Sequence, residues 1–498
     1  MGLVQSSLQI KYWFVALLGI LFAFLVWKIM GLEFRYAAAI CGGLVVVSAC
    51  MILICDITDF LILSLVFNVP FVEFSKWFLR REEVVAAKGI AVGLTELLLL
   101  IGYAVWFIRI FVARTMPLPK LSRIDFFILI FLFAQAISLL GAEDKGLSIL
   151  DIIYNFKYVL LYFFLAHHVE RRHLKWITAV ILFTICLQST VALYERLTGN
   201  VGIASAKGNV ASEQFGTQYQ VPGIEGEIRS MGTTGDSHAL ALYYAMLLPF
   251  PIILMMQRFW KIRQRVFMAV VVLVGVGGLV LTFARSGWLA FAIAITLGMG
   301  VVTWKWKEGR SIPFIIGIIL VANAFYPKAY AYIYDRFVNA PSEIMTTRYD
   351  MNWTALSIWW DNFLFGCGPG NYLNALYDPG VTVYQKPMDL PVHNAFLWIA
   401  SEMGVFGVIG FFGAIVTSMI WSWRLVRNND NLVRGLSLAI LVALTGYLLD
   451  GITDPMFRFP VPYAWLWTLM GLAVAITNMT SKRWAGASGE VNILKAEA

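Results

Sequence analysis

Residues 266–304 read VFMAVVVLVGVGGLVLTFARSGWLAFAIAITLGMGVVTW, with one charged residue, Arg285. A helix needs ~20 residues to cross the ~30 Å hydrocarbon core, so the run is too long for one span and long enough for two. The chain is therefore expected to cross a membrane, turn at Arg285-Ser286-Gly287 with almost no loop, and cross back. A hairpin that tight sets Arg285 at one end of a helical bundle. Ser286 is placed to cap the second helix, whose first N–H groups then point outward. A guanidinium beside such N–H groups suits a phosphate. An arginine that merely snorkels to lipid headgroups fits the same position.

The rest of the chain agrees with this reading. Of its 498 residues, 60% are hydrophobic and 14% charged, against about 25% charged in a soluble domain. The mean hydropathy is +0.75. Apolar runs predict spans near 12–30, 36–55, 58–74, 90–112, 124–141, 151–167, 174–194, 237–257, 266–284, 286–304, 312–327, 394–420, 433–450 and 460–478. They are continuous and do not alternate, which excludes a barrel. The expectation is an all-α polytopic membrane protein of about 12–14 transmembrane helices. It forms a single integral membrane domain, 1–498, with no separate soluble domain. The first run lacks a small-residue cleavage site and reads as an uncleaved signal anchor. Four of the five cysteines lie in apolar runs and no Cys-x-x-Cys occurs, so neither a disulfide framework nor a metal site is expected. The net charge of +8 is explained by basic cytoplasmic loops and calls for no nucleic acid.

Those loops set the orientation. Arg258, Lys261, Arg263 and Arg265, then Lys305, Lys307 and Arg310, then Arg424, Arg427 and Arg434 are expected in the cytoplasm. Arg171, Arg172, Lys175, Lys482 and Arg483 keep the same phase. Two long loops then fall on the far side, 195–236 and 326–392. The segment Lys76 to Lys88 fits this count poorly and reads as an interfacial helix.

His393 opens His393-Asn394-Ala395-Phe396-Leu397-Trp398 where the second loop enters a span. An imidazole there suits proton transfer on a lipid-borne substrate, because His titrates near neutrality. A histidine that caps the helix and bonds a backbone carbonyl fits as well. Within the loop, Arg348 stands just before a helical pattern of Trp353, Leu356, Trp360 and Leu364, spaced 3, 4 and 4. That spacing gives an amphipathic helix with aromatics at headgroup level, flat on the outer surface. Gly366-Cys367-Gly368-Pro369-Gly370 ends it. Arg348 could equally be a surface ion pair with Asp350 or Glu343. Arg229, Asp236 and His238 sit where the first loop meets the span near Ser237. Asp450, Asp454 and Arg458 lie in the last outer turn and are expected to be solvated or paired.

Three stretches, in this order and spacing, resemble the O-antigen ligase and polymerase superfamily. They are Thr282-Phe283-Ala284-Arg285-Ser286-Gly287-Trp288, Arg348 with the Phe365–Gly370 turn, and His393-Asn394 followed by Gly404 and Gly407. Arg229-Ser230-Met231-Gly232-Thr233-Thr234-Gly235 is similar to that family's first-loop pattern. The resemblance covers roughly 120–475. It departs at Asp236-Ser237-His238, where relatives often carry a small residue and Asn, which puts contacts there in doubt. The resemblance implies a helical glycosyltransferase-C-like bundle in the bacterial inner membrane, with its active site facing the periplasm. The donor would be a glycan on undecaprenyl pyrophosphate. The acceptor would be a lipid A–core sugar in a ligase or a second lipid-linked glycan in a polymerase. Carried over, Arg285 and Arg348 would bind the pyrophosphate and His393 would be the general base, with Arg229, Asn394, Asp236 and His238 as secondary candidates. No metal and no cofactor is implied.

The residue types suit that chemistry on their own terms. A departing pyrophosphate gains negative charge, which two fixed cations in a low-dielectric site stabilise best at the transition state. Arginine stays charged there and grips phosphate oxygens in a fork. Attack opposite the leaving group would invert the anomeric centre. A transporter or flippase is the rival reading, but such proteins usually show internal repeats and mid-span ionisable residues. A scaffold for polysaccharide assembly is a third.

Overall fold

The computed structural model describes residues 56–72, 75–78, 89–201, 210–211, 228–257, 259–306, 334, 342–378, 382–383 and 391–496. The chain divides into two units, 1–64 and 65–498. Of the first, only residues from 56 onward are described. The expected spans 12–30, 36–55 and 312–327 lie outside the described residues.

The protein is an all-α polytopic membrane protein. Ten helices among the described residues are long and apolar enough to cross a membrane. They are α2 (Leu94–Val112), α3 (Arg123–Gly141), α4 (Lys145–His168), α5 (Arg171–Thr198), α6 (Ser237–Met255), α7 (Ile262–Leu281), α8 (Arg285–Trp306), α10 (Ala395–Leu425), α11 (Asn431–Asp450) and the span Pro460–Ser481 of α12. Each answers one of the runs predicted from hydropathy. The run predicted at 58–74 is instead a short helix, α1 (Ile57–Asn68), followed by a 3₁₀ turn to Phe71. Pro70 ends it, since proline lacks the N–H that a longer helix needs. Of the interfacial helix expected from Lys76 to Lys88, residues 76–78 are strand instead, and residues 79–88 lie outside the described residues. Ser75–Phe78 and Ile90–Gly93 pair as antiparallel strands, β1 and β2, with Ser75 opposite Gly93.

The helices sort by how much of their surface the protein itself covers. The spans in α6 and α12 are 89% buried and α11 is 72% buried, whereas α2, α3, α7 and α8 stay at 39% or less. A helix buried all round belongs at the centre, and one with a bare apolar face belongs against lipid. Leu100, Phe107, Phe126, Phe133, Val266 and Leu297 lie on such bare faces. Close packing joins α10 to α3, α12 to α4, α11 to α8 and α7 to α5.

The longest span is broken on purpose. Gly404 interrupts α10 with φ 62° and ψ −164°. A kink within lipid leaves backbone groups that must find partners inside the protein. Here the turn after α9 (Ser342–Asp361) fills the break. Cys367 N donates to Ser401 O at 2.8 Å, Gly368 N to Glu402 O at 3.0 Å, and Val405 N to Phe363 O at 3.0 Å. A Cβ on Gly366 would run into the Glu402 backbone, and one on Gly404 into the backbone of Leu364. Ser148 Oγ donates to Pro369 O at 2.9 Å, and Asp144 N to Asn371 Oδ1 at 2.9 Å. Thus the Gly-rich turn is a plug that fastens α9 to the bundle.

Within α9 the sequence reading needs two corrections. The helix begins at Ser342, so Arg348 lies inside it and not ahead of it. Its packed face is Met351, Thr354, Ala355 and Ile358, all nearly inaccessible, while Trp353 and Trp360 are exposed. The aromatic stripe is therefore the free side of the helix, the side suited to headgroups.

Candidate functional site

The site is built at one end of the bundle by four junctions. In the first, the segment before α6 is stapled to α5. Glu195 is fully buried near the end of α5 and accepts from the N–H groups of Met231 and Gly232, both at 2.9 Å. Gln188, two turns back, accepts from Thr233 N at 3.0 Å. Ser230 N donates to Leu281 O at 3.0 Å and ties this segment to the end of α7. Arg229 is thereby fixed beside the α7–α8 turn. Its Nε is buried without a hydrogen-bond partner. Burial lowers its pKa, with Arg285 adding to the effect and Asp236 and Asp454 opposing it.

The second junction is the α7–α8 turn, which sits three residues earlier than the sequence suggests. Thr282, Phe283 and Ala284 connect the helices, and Arg285-Ser286-Gly287 is the first turn of α8. Phe283 takes a left-handed φ of 51°, a strained setting for a bulky residue. Its ring is 1% exposed. Ser286 is not the expected cap; its hydroxyl lies 3.5 Å from His238 Nδ1. Gly287 allows the close approach of α8 to α6, because a Cβ there would strike Ala241.

The third junction is the start of α10. Asn394 caps the helix, accepting from Phe396 N at 3.0 Å and Leu397 N at 3.2 Å. His393 precedes it and is partly exposed. Its Nδ1 is buried, facing the Pro391 carbonyl without a well-formed hydrogen bond. Ala395 N donates to Gly451 O at 2.8 Å, which brings in the fourth junction after α11. There Asp450 and Asp454 are 1% and 2% exposed. Both oxygens of Asp450 lack hydrogen-bond partners. Asp454 Oδ2 lies 3.3 Å from His238 Nδ1.

These groups feel one another. Burial lowers the pKa of His393, Arg348 and His238 lower it further, and Asp454 opposes them. Burial alone would raise Asp454, but His238, Ser286 and Arg348 outweigh it and hold the carboxyl below its ordinary value. Arg285 and Arg348 are close enough to repel each other. Arg348 has no hydrogen bond or ion pair among the described residues, so the surface bridge to Asp350 is absent. Two like charges held close together fit an anionic ligand.

The structure thus gathers Arg229, His238, Arg285, Arg348 and His393, which lie far apart in the sequence. It gives Asp236 a different part. That residue caps α6, accepting from His238 N at 2.7 Å and Ala239 N at 3.1 Å. Asn394 is likewise a cap. The carboxylates Asp450 and Asp454 were expected to be solvated or paired; both are buried, and Asp454 is paired with His238.

Arg458 is buried too, in a cluster of its own. Its Nη1 donates to Asp151, and its Nη2 donates to Glu402 Oε2 at 2.6 Å. Both carboxylates are fully buried. Burial works against its charge, but Asp151 and Glu402 outweigh it and raise the pKa. No periodicity marks this triad in the sequence, because its members are 56 and 307 residues from Arg458.

Residues 269–412 match the family model described as O-antigen ligase. Over this segment the chain is similar to the O-antigen ligase family. No curated protein matches the chain. The matched segment runs from within α7 into α10 and includes Arg285, Arg348 and His393. Arg229, His238 and Asp454 lie outside it, so the cluster is completed by elements on either side of the matched segment. That likeness supports a glycan-transfer role in polysaccharide synthesis, and the ten apolar helices support a multi-pass membrane protein.

Proposed function

We propose that the protein transfers a glycan from undecaprenyl pyrophosphate to an acceptor sugar hydroxyl at the periplasmic face of the inner membrane. The observation that carries this reading is the meeting of Arg285, Arg348 and His393 at one end of the bundle. The two guanidiniums bind the donor's pyrophosphate. They stabilise it more strongly as the anomeric carbon–oxygen bond breaks and the lipid pyrophosphate leaves with the electron pair. His393 takes the proton from the acceptor hydroxyl. With the Nδ1 proton directed at Pro391, Nε2 keeps the lone pair that accepts it. The lowered pKa leaves the imidazole neutral and ready at neutral pH. Asp454 then favours the imidazolium that forms, and His238 and Ser286 hold Asp454 in place. Attack opposite the leaving group inverts the anomeric centre.

The orientation rests on charge. The ion pair of Arg171 with Asp430, and Trp306 Nε1 donating to Val426 O at 3.1 Å, gather the basic segments at the opposite end of the same helices. Basic ends face the cytoplasm, which turns the site outward.

A transporter would carry ionisable groups along a path through the bundle. The buried charges of Asp151, Glu402 and Arg458 are closed on each other near one end, which favours transfer over passage. The deciding experiment offers a defined lipid-linked donor to the purified protein with each candidate acceptor in turn. Transfer to a lipid A–core sugar assigns a ligase, and transfer to a second lipid-linked glycan assigns a polymerase. His393→Ala is expected to lose at least ~10²-fold in turnover while still binding donor. Flux of lipid-linked glycan in sealed vesicles with no transfer in detergent would overturn the reading.

A further inference from the structure

A groove of ≈ 550 Å³ opens between α5 and α7 at the end of the bundle opposite His393. Arg172, Lys175 and Arg263 stand along it, and Leu182 and Phe267 supply apolar lining. Among the described residues no Asp or Glu lines it. Trp260 forms part of the wall, with its Nε1 buried and without a hydrogen-bond partner. A buried indole N–H without an acceptor is uncommon and asks for one. Trp176 is 57% exposed beside it, as aromatic residues are at a membrane interface.

We propose that this groove binds an anionic glycerophospholipid from the leaflet that borders the basic end of the bundle. Its phosphodiester lies among Arg172, Lys175 and Arg263 and accepts from Trp260 Nε1, and an acyl chain runs along Leu182 and Phe267. Charge complementarity chooses the headgroup: three cations with no lining carboxylate suit a net-negative lipid and give a zwitterion little. The groove's position between two spans chooses a lipid over a soluble anion, because only an amphiphile satisfies the cationic mouth and the apolar lining together. The neighbouring pair of Arg172 with Glu170, at 3.1 Å and more than half exposed on both sides, is weak competition. This site is independent of the glycan-transfer reading, and it stands or falls without it.

The test is native mass spectrometry of the full chain released from bilayers of phosphatidylglycerol and phosphatidylethanolamine in equal amounts. One retained phosphatidylglycerol per chain is expected. Arg172→Ala with Arg263→Ala should weaken retention about thirtyfold, from the loss of two near-surface charges. Trp260→Phe, which keeps the ring and removes the N–H, should weaken it several-fold. Lys305→Ala, at the same end of the bundle but outside the groove, should leave it intact. Each variant is first shown to run as wild type on size exclusion. Equal retention of phosphatidylethanolamine would overturn the proposal, as would undiminished phosphatidylglycerol in the double variant. Displacement by millimolar inorganic phosphate would show that a free anion suffices and would overturn the choice of a lipid.

Discussion

Removing Arg348 or Asp454 should move the protonation of His393 in opposite directions. Arg348 lowers its pKa and Asp454 raises it. A general base works only while unprotonated, so activity falls as pH drops through that pKa. The acid limb of kcat/KM should therefore lie below the ordinary imidazole value of about 6.5. In Arg348→Ala the pKa rises and the limb shifts to higher pH. In Asp454→Asn it falls and the limb shifts lower. Both variants lose rate as well, but the two shifts have opposite signs, which a merely structural defect does not produce. A limb that stays put in both would assign the proton transfer to another group. At this scale the sequence was legible where a charge interrupts an apolar run, as Arg285 does, or opens a span, as His393 does. It left Asp450 and Asp454 as solvated or paired and did not show their burial, because a carboxylate in a short turn looks solvated until the fold closes over it. Glu195 was missed for the same reason. Its partners are the N–H groups of Met231 and Gly232, about 36 residues on, and backbone groups leave no mark in a sequence.

Helix ends explain where residue types misled. Asp236 and Asn394 are polar residues beside the reacting groups, and both spend their side-chain oxygens on caps. Asn394→Ser should keep the cap and most of the activity, whereas Asn394→Ala should lose about 1 kcal/mol of stability, read as a lower midpoint of thermal unfolding in detergent. Inactivation by the Ser variant at unchanged stability would restore Asn394 as a contact to substrate. The break in α10 is a second case. Gly404 and Gly366 were visible as glycines, and the Gly366–Gly370 turn as a helix breaker, but not that each occupies the space beside the other's backbone. Gly404→Ala meets both a positive φ and the backbone of Leu364, and the strain alone is about 1–3 kcal/mol. It should loosen the plug that holds α9. The expected result is a protein that still inserts but loses donor affinity through displaced Arg348. Wild-type affinity would detach the plug from the site. Arg458→Met bares two fully buried carboxylates and should destabilise by about 3–5 kcal/mol. Hydropathy found ten spans because ~20 apolar residues suffice to mark one. The turn at Thr282–Ala284 was misplaced by three residues because alanine and phenylalanine there are as apolar as the helix they end.

Across the whole molecule the two ends of the bundle differ in kind. One end collects the basic segments, and the other collects Arg285, Arg348, His393 and the buried carboxylates. Topology is therefore a direct consequence to test. Cys367 is a poor reporter, since burial and the nearby Glu402 raise its thiol pKa well above the ordinary value. Asp361→Cys, at an exposed position ending α9, should react with an impermeant thiol reagent once the outer membrane is permeabilised. Labelling only after lysis of the inner membrane would invert the orientation. The central claim is that Arg285 and Arg348 hold one pyrophosphate, and a double-mutant cycle tests it most directly. Single-turnover transfer is measured at varied donor concentration for Arg285→Ala, Arg348→Ala and the double variant. A charge-assisted hydrogen bond contributes ~1.5–3 kcal/mol, so each single variant should lose at least about tenfold. Lysine at either position should restore only part, because it keeps the charge and loses the fork. Residues that share one ligand couple, so the double variant should lose less than the product of the singles. Losses that simply multiply, or wild-type rates in either single variant, would contradict the account.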